Sequence, residues 1–108
     1  MALTCSYRDH VKAKIESDPQ FRQALFQEAV QTLISGGVDT ARAVLCDFIN
    51  ATIGFAALAK ATGTPAKSLM RMFGPSGNPT AANLFGVIGV LQKKTSVHLE
   101  VRAVASAA

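Results

Sequence analysis

An all-α domain is the fold class this sequence predicts, and three observations carry it. Helix formers dominate: several segments are Ala-rich, aromatics make up only 6% of the chain and there is no Trp. Apolar residues recur at i, i+3, i+4 and i+7 in successive segments, the spacing of one helical face. Between these segments stand the residues that start and stop helices, notably Ser35-Gly36-Gly37, Gly63-Thr64-Pro65 and the hexapeptide at 74–79. The 108 residues suit a single domain, and at 49% apolar they can bury a modest core without disulfides or metal.

Ser6-Tyr7-Arg8-Asp9 has the form of a capping box and opens a first helix in which Tyr7, Val11 and Ile15 repeat at i, i+4. It ends near Ser17. Asp18 as N-cap and Pro19 as first residue restart helix, and Phe21, Leu25, Phe26, Ala29, Val30, Leu33 and Ile34 form its broad apolar face. Ser35-Gly36-Gly37 stops it. Asp39 or Thr40 is expected to cap a third helix, with Ala41, Val44, Leu45, Phe48, Ile49 and Ile53 inward and Arg42, Asp47 and Asn50 on the other side. This helix is the scaffold behind the next two.

The segment 55–73, FAALAKATGTPAKSLMRMF, reads as two short helices meeting at a tight turn. Phe55, Leu58, Ala59 and Thr62 share one face of the first, and Leu69, Met72 and Phe73 one face of the second. Gly63 marks the turn, Thr64 suits the N-cap and Pro65 the first helical position. At 100° per residue Lys67 and Arg71 lie opposite the apolar stripe, so the second helix presents two cations to solvent. The 74–79 loop comes next, and Thr80 caps a last helix carrying Leu84, Phe85, Val87, Ile88 and Leu91, with Lys93 and Lys94 at its negative pole. From Ser96 to Arg102 polar and apolar residues alternate, which predicts a short strand and a tail over 95–108.

Charge is distributed unevenly. Residues 1–53 hold five Lys/Arg against six Asp/Glu, whereas 54–94 hold Lys60, Lys67, Arg71, Lys93 and Lys94 and no carboxylate. A cationic middle of this kind points to a polyanionic partner. Charges at Arg8, Asp9, Lys12 and Lys14 interrupt any secretory signal, and the 74–79 loop divides the uncharged run after Arg71, so neither a signal nor a membrane span is expected. Two lone cysteines, Cys5 and Cys46, fit a reducing cytoplasm, with Cys46 as a small apolar residue. Two isolated histidines and the absence of any nucleophile or phosphate-loop motif make an enzyme or a bound cofactor a poor expectation.

Leu58-Ala59-Lys60-Ala61-Thr62-Gly63-Thr64, Lys67-Ser68-Leu69-Met70-Arg71-Met72-Phe73, Gly77-Asn78-Pro79-Thr80 and Leu84-Phe85-Gly86-Val87-Ile88 together resemble the Cro/C1-type (XRE) helix-turn-helix regulators. Among these the chain is most similar to short addiction-module antidote proteins, over about residues 39–101. The resemblance implies a lambda repressor-like domain that dimerises on a palindromic operator, represses its own promoter and often neutralises a RelE/ParE-like toxin. It further implies that Ala66, Lys67, Ser68, Met70 and Arg71 face base edges and phosphates, with Lys60 and the Gly77-Asn78 backbone on the phosphate chain. The chain departs from the family at Gly54-Phe55, where many members carry a polar residue, often Gln.

The sequence therefore predicts a cytoplasmic, homodimeric, double-stranded-DNA-binding repressor. A helix-turn-helix core spans 39–94, behind an N-terminal helical extension at 1–38 suited to dimerisation or partner binding. A second reading, from another class, is a protein-interaction module that keeps this fold without binding DNA and neutralises a toxin or scaffolds a dimer.

Overall fold

The structure, a computed structural model, describes residues 5–75 and 77–106, with side chains from His10 onward. Six helices account for its regular structure: α1 (Cys5–Ser17), α2 (Pro19–Ile34), α3 (Val38–Ala51), α4 (Gly54–Thr62), α5 (Ala66–Met72) and α6 (Ala81–Thr95). The fold is all-α. The capping box at Ser6 to Asp9 rests on side chains outside the described residues.

Sequence chemistry accounts for most of the boundaries. Asp18 Oδ1 accepts hydrogen bonds from the Gln20 and Phe21 amides at 3.1 and 3.2 Å, with Pro19 opening α2 where no amide donor is needed. At the other end Gly36 takes φ +100°, its amide donates to the Leu33 carbonyl and the Gly37 amide donates to that of Thr32. This pair of bonds is a Schellman motif, and it satisfies two carbonyls that the helix end leaves open. Thr80 Oγ1 caps α6 by accepting from the Asn83 amide.

Four features differ from expectation. Helix α3 ends at Ala51, with Thr52 donating back to the Phe48 carbonyl, so Ile53, expected on its apolar face, stands instead at the N-cap of α4. Helix α3 begins at Val38, before Asp39 and Thr40, because the chain leaves the Schellman turn directly into helix and the Ala41 amide bonds the Gly37 carbonyl. Neither Asp39 nor Thr40 caps it. Pro65 stands at the N-cap of α5 with φ −58° and ψ 142°, so the helix starts at Ala66; Thr64 turns its amide to Thr62 Oγ1 instead of capping. The strand expected at 96–102 does not form. Ser96 ends α6 in the left-handed region at φ 57°, and residues 97–106 belong to no helix or strand. A strand needs a neighbour, and among the described residues every other regular element is a helix.

The core runs without a break through all six helices, from Ile15 in α1 and Phe26 in α2 to Leu69 in α5 and Leu91 in α6. Helices α1 and α2 are thus packed into the same interior as the rest. The Phe26 and Phe48 rings stack at 4.8 Å between centroids with 16° between planes, both wholly buried, and join α2 to α3. Among the described residues no single helix is long and apolar enough to cross a membrane, and the one adjacent pair with suitable length and composition, α3 and α4, is bent by 101°.

Truncating Phe48 to Ala should lower unfolding free energy by roughly 3–5 kcal/mol in urea titrations, since a buried stacked ring is replaced by a cavity. Gly86→Ala should act in the opposite direction by about 0.5–1 kcal/mol, because a methyl added there in the interior of α6 meets open space.

Candidate nucleic-acid interface

Helices α4 and α5 meet across three residues, Gly63 to Pro65. Gly63 adopts φ +77°, a conformation that costs a residue with a Cβ, and its amide closes on the Ala59 carbonyl. Thr62 Oγ1 tightens the turn, donating to the Leu58 carbonyl at 2.9 Å and accepting from the Thr64 amide. Beneath the turn Leu58 and Leu69 are buried, and the Phe55 and Phe73 rings meet at 6.3 Å between centroids in a tilted arrangement. The outer face of α5 is left to solvent.

Lys67 and Arg71 are both exposed, one turn apart on that face, with Met70 between them at 52% exposure. Ala66 and Ser68 flank them, half-buried, and Lys60 is exposed in the last turn of α4. Among the described residues Lys60, Lys67 and Arg71 make no ion pair and no side-chain hydrogen bond. Their charge is uncompensated. The structure thus brings Lys60, Ala66, Lys67, Ser68, Met70 and Arg71 to one helix pair.

Gly77 and Asn78 are placed differently. Asn78 is exposed, whereas Gly77 is packed beneath the end of α5, where an added Cβ would collide with the Met72 and Arg71 carbonyls. Its amide donates to the Gly74 carbonyl at 3.0 Å, which leaves no free N–H there for a phosphate. Gly77, expected on the phosphate chain, thus has a packing role as well: only glycine permits the loop to lie this close to α5.

What the loop lies against is Arg42. This side chain, expected on the outer side of α3, is buried at 8% exposure. Its guanidinium donates to Asp39 Oδ1 at 2.8 Å, to the Pro75 carbonyl at 3.1 Å and to the Gly77 carbonyl at 3.4 Å. A guanidinium holds several donors in a planar fork, so one residue of α3 can fix two carbonyls of the loop that leaves α5. The signal is present in the sequence. Arg42 stands three residues before Leu45 and seven before Ile49, which places it at about 60° from Leu45, on the buried side of the helix.

A cleft of about 590 Å³ lies elsewhere, between α2 and residues 97–104. Among the described residues no three His, Cys, Asp or Glu side chains gather in a metal-ligating group. No protein-family model, curated protein or solved structure matches the chain.

Arg42→Met should lower stability by about 1.5–3 kcal/mol, the range for hydrogen bonds to a charged group. Asp39→Ala should cost less than about 1 kcal/mol, since that carboxylate is 92% exposed and the loop carbonyls keep their donor. Thermal unfolding of the two variants, side by side, measures the difference.

Proposed function

We propose that this chain is a sequence-specific DNA-binding repressor, antitoxin-like and controlling its own promoter, that acts in the cytoplasm as a homodimer by occluding its operator. The observation that carries this reading is the outer face of α5, where Lys67 and Arg71 stand exposed and, among the described residues, unpaired on a short helix held by a glycine turn. A cationic helix with this support has the dimensions and charge to enter a major groove. The resemblance of 39–101 to the antidote regulators supports the same assignment and adds a RelE/ParE-like toxin as protein partner.

Within the proposal Arg71 contacts a guanine edge in the bidentate manner open to guanidinium, and Lys67 and Lys60 contact phosphates. Ser68 and Met70 flank the contact and Ala66 leaves room for the backbone to approach. Asn78 is left as an exposed loop residue within reach of the phosphate chain. The reading of the chain as an interaction module without DNA binding draws on Phe55, buried where the related regulators often carry a polar residue.

Titration of the purified protein onto DNA upstream of its own coding region, against scrambled competitor at several salt concentrations, tests the proposal. Specific binding that weakens steeply with salt is expected, and binding no better than to scrambled DNA would sink the repressor reading in favour of the interaction module. Arg71→Ala should cost roughly 1–3 kcal/mol on the operator and relax specificity at one position. Lys67→Ala should weaken all sequences alike and reduce the salt slope by about one.

A further inference from the structure

Past the end of α6 residues 97–104 border α2, and burial alternates from Val97 to Glu100 before the chain is exposed throughout 101–106. Val97 and Leu99 are half-buried against the core, while His98 and Glu100 are exposed. A period of two is what an extended chain gives. The Leu99 amide is held by Gln92 Oε1 at 2.9 Å, but from Glu100 to Ala105 the chain makes no hydrogen bond among the described residues. Among those residues six large apolar side chains are more than 40% exposed, and three of them, Ile34, Val101 and Val104, border the cleft between this segment and α2. Unbonded backbone and exposed apolar side chains coincide here.

We infer that residues 98–104 pair antiparallel with the same residues of a second copy, in the register that places Val101 opposite Val101 on the two-fold axis. Charge selects both the occupant and the register. Centred on Val101, Glu100 of each copy lies opposite Arg102 of the other, giving two cross-strand ion pairs, and Leu99 lies opposite Ala103 on the core side. Centred on Glu100 or on Arg102, the same segment sets like charges against each other. Parallel in-register pairing would do so at both positions. Slipping by one residue would turn Leu99 away from the core. A two-fold interface of this kind is self-complementary, as isologous dimers require.

The inference deepens the homodimer of the proposed function and is tested without DNA. Light scattering across a concentration series of the full chain should show a dimer. Glu100→Arg and Arg102→Glu should each weaken dimerisation by about tenfold or more, because both cross-strand pairs become repulsive. An equimolar mixture of the two variants should restore dimers, since the heterodimer sets two arginines of one copy against two glutamates of the other. The double variant, with the charges exchanged, should dimerise with itself for the same reason. In a Cys5→Ser, Cys46→Ala background, Val101→Cys should form an interchain disulfide on mild oxidation more completely than Glu100→Cys or Arg102→Cys.

A monomeric wild type, single variants that dimerise normally, a mixture that fails to recover, or preferred crosslinking at position 100 or 102 would each overturn the pairing. Circular dichroism of each variant guards against misfolding at these exposed positions. A dimer without operator binding refutes the repressor reading alone, and a monomer that binds operator refutes the pairing alone.

Discussion

The position of α5 depends on one guanidinium. Helix α5 has seven residues, about 10 Å of helix, and buries mainly Leu69 with Phe73 just beyond its end. So short a helix is not stable by itself, and its orientation must come from outside. Gly63 sets it from the N-terminal side through the turn to α4, and Arg42 sets it from the C-terminal side by holding Pro75 and Gly77. The Phe55–Phe73 contact closes the triangle from below. Arg42 is also where charge is removed from the surface: it is the cation that the exposed face does not have.

That placement sharpens the electrostatic asymmetry. The first three helices and their caps hold Asp18, Asp39 and other carboxylates, and two of their cations are engaged locally, Lys14 with Asp18 and Arg42 with Asp39. Lys60, Lys67 and Arg71 have no such partner among the described residues. Exposed cations without an ion pair among the described residues therefore include those of α4 and α5 together with Lys93 and Lys94 at the end of α6. Exposed pairs such as Lys14–Asp18 contribute little stability, so their effect is mainly to shape this field.

Much of the fold is legible in the sequence because local chemistry decides it. Asp18-Pro19, Ser35-Gly36-Gly37 and Thr80 each satisfy or terminate backbone bonds within a few residues, and no distant contact is needed to predict them. The apolar stripes of α2, α3 and α6 are legible for the same reason. What is not legible requires partners far along the chain. The place of Arg42 on the Leu45 side of α3 is legible, but two of its three acceptors lie more than thirty residues away, at Pro75 and Gly77. At Gly77, too, a glycine next to Asn78 suggests a loop open to a ligand, but the space is occupied by the end of α5. Ser96 to Arg102 has the pattern of a strand without a neighbour in the chain to make it one.

The small reading surface and the unpaired segment are connected by energetics. In the proposed function one α5 would offer a single arginine and a single lysine to DNA, and one good base contact with a few phosphates is worth only a few kcal/mol of discrimination. Operator binding at about nanomolar affinity requires about 12 kcal/mol, which one copy of so small a surface does not supply. Two copies joined to each other bring the second α5 to the DNA at high effective concentration, so that its contacts add to the first without a second loss of translational freedom. So small a helix face would make association a requirement of the proposed function.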